Sequence, residues 1–451
     1  MTTTLLPTTS RDLRRRALRH QREGRVPGLY AGVHRRGELL WGDGVGVKDV
    51  ETPVPPGADD QFLVASNTKT FTAVMVMQLR DEGRLDLDDR IGAHLPEVRQ
   101  PVTVRQGLAH LSGLQREPVG EVWETLAEPD VEELLAGFAE AEQIGRPHDR
   151  WHYSNIVYAV LGQLVARLDG RTWAGSLQAR LLDPLELRRT SPGFDGGPRA
   201  TGYYVAPYDD VPRPEPVIGS SALDPCGGLA STADDLVRWS SFVADPDPGV
   251  LSPDTLEEMC QPQAMRDLEG WTAAMGLGFF LHRSPGGRTW VGHTGGMPGH
   301  ITGVFTHRES GTGAVVLMNS TSAPDPAGFA IALGEHVVEH DPAEPEPWRP
   351  GTVVPEELAG LRGVWFSEGA PFIFSVVEGH LEAREPGQPS EQPSSVFEQV
   401  DDDVYRTVRG RERGELLRVT RDDDGVPVRL HWATYLATRE PLAFGEQPTT
   451  R

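Results

Sequence analysis

Lysine is nearly absent from this 451-residue chain: Lys48 and Lys69 stand against 41 arginines. A chain that draws its positive charge from arginine keeps a lysine where arginine fails, and arginine cannot lose its proton near neutral pH. Cysteine is equally scarce. Cys226 and Cys260 are the only two, which fits reduced thiols and leaves no cysteine-based metal cluster. Of the 14 histidines, His336 and His340 have His-x-x-x-His spacing, with Val337 where a zinc hydrolase of the His-Glu-x-x-His type has its glutamate. That pair reads as a solvated helix end, and no metal or cofactor is implied. No stretch approaches the roughly eighteen consecutive apolar residues that span a bilayer. The N-terminus lacks an apolar core followed by a small-residue cleavage site, so a cytoplasmic protein without membrane contact is expected. The net charge of −23 and pI near 5.0 argue against nucleic acid or an anionic membrane as partner. A cationic exception, Arg11 to Arg25 interleaved with Leu13, Ala17 and Leu18, reads as an amphipathic first helix with a solvated face.

What is present begins with the placement of Lys69, three residues after Ser66 in Ala65-Ser66-Asn67-Thr68-Lys69. The residues that follow put Phe71, Val74, Met75 and Leu79 on one helical face and end at Gly83, a C-terminal cap. Ser66 is expected to open that helix. Residues three apart share a side, so the Lys69 amine reaches the Ser66 hydroxyl, and the helix N-terminus favours an alkoxide there. Nucleophile and base is one reading of the pair. A helix N-cap at Ser66 is the other.

Two later segments bear on that choice. His152-Tyr153-Ser154-Asn155 precedes Ile156, Val160, Leu161, Leu164, Val165 and Leu168 at helical spacing, placing Tyr153 and Asn155 at the start of a buried helix. Trp290-Val291-Gly292-His293-Thr294-Gly295-Gly296 is an apolar strand running into small residues, where another backbone approaches closely. Tyr153 follows Ser66 by 87 residues and His293 follows Tyr153 by 140. Ser66-x-x-Lys69, Tyr153-x-Asn155 and His293-Thr294-Gly295, in this order, resemble the three motifs of the serine β-lactamase and penicillin-binding-protein superfamily, in its class C β-lactamase-like branch.

The resemblance covers roughly residues 10 to 340 and implies an α/β (α+β) fold: an antiparallel sheet flanked by helices, interrupted by an all-helical lobe. Gly28 to Val33 and Glu38 to Val47 read as a hairpin across Arg36-Gly37, and Gly83 to about Arg199 as the helical lobe. Leu277 to His282, Thr289 to His293, Ile301 to Thr306 and Ala314 to Met318 read as returning strands, and Gly328 to His336 as a closing helix. Residues 1–340 would form this domain. A proline-rich linker at 341–354 would follow. Short alternating runs such as Phe372 to Val377 and Val428 to Trp432 then give a small antiparallel barrel over 355–451. Leu358-x-x-Leu361-x-Gly363-x-Trp365 resembles the opening of a lipocalin-like barrel carried by some members of the branch.

By resemblance, Ser66 attacks an acyl carbonyl while Lys69 and Tyr153, coupled as one unit, move its proton. The backbone N–H groups of Ser66 and Gly296 hold the oxyanion, Asn155 holds a substrate amide, and the Thr294-Gly295-Gly296 edge binds the acyl segment as an added strand. Many relatives have lysine in place of His293; a histidine is only partly charged near pH 7, which weakens attraction for a substrate carboxylate. The features together are most like stand-alone penicillin-binding-protein-type thioesterases, which release a peptidyl thioester by head-to-tail cyclisation of a nonribosomal peptide. A peptidyl thioester, or a small peptide or ester, is then the substrate and a peptide carrier protein the partner. Arg439, near the end of the barrel, is a candidate to reach the Ser66 cleft, or else a surface strand arginine. A cytoplasmic D-stereospecific peptidase or esterase needs the same motifs, and a noncatalytic binding protein on this fold is the third reading.

Overall fold

The computed structural model describes residues 5–219, 221–344, 347–351, 353–389, 392–443 and 446. Parts of the 341–354 linker and the last residues of the 355–451 segment lie outside the described residues. The chain divides into two units, Met1–Glu344 and Pro345–Arg451.

The first unit is built on an eight-stranded antiparallel sheet. The hairpin Gly28–Arg35 and Glu38–Gly46 forms one side of it. Thr312–Met318, His300–His307, Thr289–Met297 and Phe280–Arg283 follow across the sheet, and Ala273–Met275 and Ala264–Met265 complete it. Those last two strands are too short to show alternation in the sequence. The strand expected from Leu277 begins only at Phe280, because Gly278 takes φ +92° to let the chain turn against Ala73. One face of the sheet is covered by the N-terminal helix Pro7–Glu23 and by Pro326–His340, which bury Leu13, Ala17, Leu333 and Val337; Leu18 is exposed. His336 is also buried, 4.0 Å from Asp12, because its helix packs on the first one, whereas His340, at the helix end, is exposed as expected.

The other face meets the helix Thr68–Asp81, buried at every residue from Thr68 to Leu79. Periodicity suggested one apolar face, but this helix is enclosed between the sheet and the helical lobe, so its threonines need internal partners. Thr70 and Thr72 hydroxyls accept from the indole N–H groups of Trp239 and Trp173, both at 3.1 Å. Phe71 stacks on Trp239 at 3.8 Å. In the lobe, Asn155–Asp169 starts at an N-capping Ser154 and stops at Gly170 in the left-handed region.

The second unit is a closed barrel of eight strands from Gly363–Ser367 to Tyr435–Thr438, each hydrogen-bonded to the next in sequence and the last to the first. Its interior follows period two: Phe372, Phe374, Leu430 and Trp432 are buried while Ile373 and Val428 face out. Trp365 fills one end beneath Leu358 and Leu361, its indole N–H donating to the Leu361 carbonyl at 2.7 Å. This up-and-down closure is the architecture of lipocalins.

Candidate active site

Ser66 does not open the α-helix. It lies in the single 3-10 turn Ala65–Asn67 that leads into Thr68–Asp81. Ala65 adopts φ +48°, a left-handed conformation that persists only where the surroundings over-determine it. Thr68 Oγ1 donates to the Ala65 carbonyl at 2.6 Å, and Asn67 Nδ2 donates to the Val64 carbonyl at 3.1 Å and to Thr302 Oγ1 at 2.9 Å. From the sheet side, a β-carbon on Gly295 would stand 2.0 Å from the Val64 carbonyl oxygen. Glycine is what allows the strand to press against the Ser66 turn.

Lys69 is fully buried. Its Nζ donates to Ser66 Oγ at 3.2 Å, Asn155 Oδ1 at 2.7 Å and the Cys226 carbonyl at 2.5 Å. These occupy the three donors of an ammonium, and none of the acceptors is a carboxylate. Asn155 is fixed from its other side by Glu117, whose Oε1 accepts from Asn155 Nδ2 at 2.8 Å. The side-chain amide that the sequence assigns to substrate is therefore engaged by Lys69 and Glu117. The other lysine, Lys48, pairs with Asp60 at 2.6 Å.

Tyr153 enters this cluster through its ring, whose centroid is 4.9 Å from Lys69 Nζ and 4.2 Å from the His110 ring. The expected lysine–tyrosine coupling is thus a ring contact, while the lysine hydrogen bonds go elsewhere. His110 is buried, and its Nδ1 accepts from the Ser154 N–H at 3.0 Å. Burial first, then the charge on Lys69, holds its pKa well below the usual histidine value, so a neutral imidazole props Tyr153.

His293 lies flat on Phe280 at 3.9 Å, with Nδ1 2.6 Å from the Thr294 carbonyl. A carbonyl only accepts, so Nδ1 carries the proton and Nε2 is left as an acceptor. Burial, and after it Lys69, keeps the pKa of His293 well below its ordinary value. The partial charge expected of it is absent at neutral pH. Strand pairing with Phe280–Arg283 stops at Gly292, whereas pairing with His300–His307 runs on to Met297. The segment from His293 to Met297, Thr294 and Gly296 included, therefore has strand partners on one side, and its other edge lies beside Ser66.

A cavity of about 420 Å³ reaches Ser66 between Tyr153, His293, Thr294 and Gly296, with Arg116 and Arg266 in its wall. A narrower recess reaches Ser66 and Gly296 past Glu117, Glu128, Asn155 and Met297. A larger cavity, about 750 Å³, lies at the barrel mouth beside Arg384, Arg409 and Trp432 and contains no comparable nucleophile and base pair. Arg439 belongs to the barrel: it stacks on Trp365 at 3.8 Å and donates to the Gly360 and Val364 carbonyls at 2.6 and 3.1 Å. Its fork is committed there, at an exposed position just past the last strand, in keeping with the surface reading. No group of three His, Cys, Asp or Glu side chains placed to hold a metal occurs among the described residues.

Sequence reasoning missed Glu117, Arg116, Arg266, Trp151 and the Cys226 carbonyl. Trp151 stands two residues before Tyr153 and could have been noticed; the others carry no local signal.

Residues 354–439 match a family described as a domain of unknown function (DUF7586). "Protein flp" of Staphylococcus aureus (strain COL) is 23% identical over 337 residues, covering 70% of this chain and 64% of that protein, so the chain spans under two thirds of that relative's length. Among solved structures, a D-stereospecific amidohydrolase from Streptomyces sp. is 25% identical with a TM-score of 0.62, covering 72% of this chain and 98% of its own. SurE is similar in fold over 96% of this chain and 99% of its own, with 24% identity and a TM-score of 0.61. Residues 14–338, which hold every member of the Ser66 cluster, match the family described as Beta-lactamase, and the chain belongs to that family.

Proposed function

We propose that the protein is a serine acyltransferase that takes a peptidyl group from a thioester onto Ser66 and releases it by attack of the substrate's own amine, a head-to-tail cyclisation of a nonribosomal peptide. The observation that carries the acyl-enzyme is the buried Lys69 Nζ 3.2 Å from Ser66 Oγ. As Oγ bonds to the carbonyl carbon its proton passes to Lys69 and Tyr153, acting as one proton-handling unit, which then returns a proton to the leaving thiolate. We assign the oxyanion to the backbone N–H groups of Ser66 and Gly296, each such donor contributing about 3 kcal/mol. The edge from His293 to Met297 suits an extended acyl segment added as a strand.

Support for an amine acceptor comes from the two recesses that meet at Ser66, which let acyl chain and acceptor approach from different sides. The fold similarity to SurE, over 96% of this chain, agrees with acyl transfer in general. A peptide carrier protein would then present the thioester. Hydrolysis of a D-configured amide or ester is the second reading, favoured by the 25% identity to the Streptomyces amidohydrolase and by a polar cleft that admits water.

Mass spectrometry of wild-type and Ser66→Ala protein, incubated with a medium-length peptidyl thioester ending in a D-residue, separates these readings. Wild-type-only thiol release with a product one water lighter than the free acid is the expected result. Linear acid moves the assignment to hydrolase, and turnover by Ser66→Ala within about a hundredfold of wild type would falsify the serine mechanism.

A further inference from the structure

The two oxyanion donors belong to separate elements: Ser66 sits in the turn Ala65–Asn67 and Gly296 on the strand Thr289–Met297. Backbone pairing fastens the turn elsewhere. Phe62–Leu63 pairs with Leu229–Ser231 in a small sheet of its own, and the Val64 N–H donates to the Leu229 carbonyl at 2.8 Å. Among the described residues no backbone hydrogen bond joins the stretch from Phe62 to Thr68 to the eight-stranded sheet. Side chains therefore set the separation of the two donors.

Asn67 and Thr302 make that joint. Thr302 Oγ1 donates to the Val64 carbonyl at 3.2 Å and accepts from Asn67 Nδ2 at 2.9 Å, while Asn67 Nδ2 and the Asn67 N–H both reach the same carbonyl at 3.1 Å. Both side chains are buried, so water does not replace a bond that is lost. Thr302 stands opposite Gly295 in the strand register, and residues paired in this way project to one face. A β-carbon on Gly295 would lie 2.7 Å from Thr302 Oγ1, so the glycine leaves open the lane by which that hydroxyl reaches the turn. The turn needs such restraint. Ala65, between Val64 and Ser66, is left-handed at φ +48°, a conformation that relaxes unless its surroundings hold it. The joint holds the carbonyl before Ala65, and Thr68 Oγ1 holds the carbonyl of Ala65 itself.

We propose that Asn67 and Thr302 are positioning residues that fix the Ser66 N–H relative to the Gly296 N–H, so that both oxyanion donors are in place before a substrate arrives. Neither residue lines the cavities that reach Ser66, so neither touches the substrate. Donors aimed at a developing charge act in the transition state more than on the bound substrate, and the joint should therefore govern kcat and leave KM alone. This inference rests on the acyl-enzyme reading at Ser66 and is indifferent to whether water or an amine resolves it.

The test pairs Thr302→Val, which keeps the side-chain shape and removes the hydroxyl, with Thr302→Ser, which keeps the hydroxyl. Full-length proteins are given an N-acetyl-D-alanyl thioester and, separately, the boronic acid analogue of N-acetyl-D-alanine, whose boron bonds to Ser66 Oγ as a tetrahedral mimic of the transition state. Thr302→Val should lower kcat by about tenfold or more with KM within about twofold of wild type. Affinity for the boronic acid should fall by the same factor as kcat/KM. Thr302→Ser should recover most of both, and Asn67→Ala should match Thr302→Val, with the double variant little worse than either because the pair acts as one unit. Circular dichroism checks the fold, and Asn67→Ala carries the same test where Thr302→Val does not fold. Wild-type kcat and boronic acid affinity in folded Thr302→Val overturn the inference, as does a loss expressed in KM or one that Thr302→Ser shares in full. A wild-type Ser66 adduct, seen by mass spectrometry, with unaltered variant kinetics removes only this inference; no wild-type adduct with either probe removes the acyl-enzyme reading with it.

Discussion

The N-terminal unit buries Lys69, His34, His110, His293 and His300, whereas the barrel buries Trp365, Phe374, Phe397, Leu417, Leu430 and Trp432 and, among the described residues, adds only Tyr405, serine and threonine as buried residues with polar side-chain atoms other than the indole nitrogens. The barrel histidines, His380 and His431, are exposed. Among the described residues, every buried side-chain polar atom without a partner belongs to the N-terminal unit except Tyr405 Oη. His110, Trp151, His152, Arg266 and His293 each leave one near the Ser66 cleft. Burying ionisable or unpaired polar groups costs stability. Where one unit tolerates that repeatedly around a single serine and the other avoids it, the difference locates the chemistry.

The sharpest way to break this comparison is at the barrel core. Trp365→Ala removes a fully buried indole and its bond to Leu361, and should cost the barrel about 3–5 kcal/mol. Calorimetry should show one of two transitions lowered; a uniform loss in both would mean that the units do not unfold separately. Acid should act on the opposite partner. Burial lowers His34, whose Nε2 lies 2.7 Å from Ser240 Oγ, to about 4, while the unfolded chain titrates near 6.5. Between those values the unfolded state binds the proton that the folded state refuses. The contribution is complete above about pH 6.5 and is lost as pH falls toward 4, the loss reaching about 2 kcal/mol at pH 5. Melts at pH 7 and pH 5 should lower the N-terminal transition more than the barrel's, and His34→Gln should flatten that dependence.

Gly295→Ala probes the closest approach in the site. Its β-carbon must move the Val64 carbonyl or the strand, at about 1–3 kcal/mol, and acylation of Ser66 should fall more than global stability does. Equal losses would reduce Gly295 to a packing residue. The smallest effect is expected for Arg439→Ala, which removes bonds to Gly360 and Val364. A loss of about 1 kcal/mol in the barrel, with Ser66 acylation kept, is expected; lost acylation would return Arg439 to the cleft.

What could be read from the sequence depended on how local the cause was. Ser66 and Lys69 are three residues apart, so helical geometry alone brought them within reach. The barrel strands announced themselves because Phe372, Phe374, Leu430 and Trp432 alternate with outward residues, a consequence of the strand's own pleat. Tyr153 and His293 needed motif resemblance, and their states needed more. That His293 is neutral follows from Phe280 and Lys69 around it, and that Tyr153 meets Lys69 by its ring follows from His110 beneath it. The helix Thr68–Asp81 read as one-sided because its neighbours on the remaining faces come from far along the chain.

The sequence by itself determined the two-unit plan, the alternation of the barrel and the pairing of a rare lysine with a serine, since each depends on residues a few positions apart or on composition. Only the tertiary structure decided that Asn155 is held by Glu117, that Arg439 is bound to its own barrel and that Arg266 stacks on Phe280 in the wall of the Ser66 cavity. Those contacts join residues brought together by the packing of separate elements, and burial then fixes which groups keep their charge and which of their hydrogen bonds remain to be made.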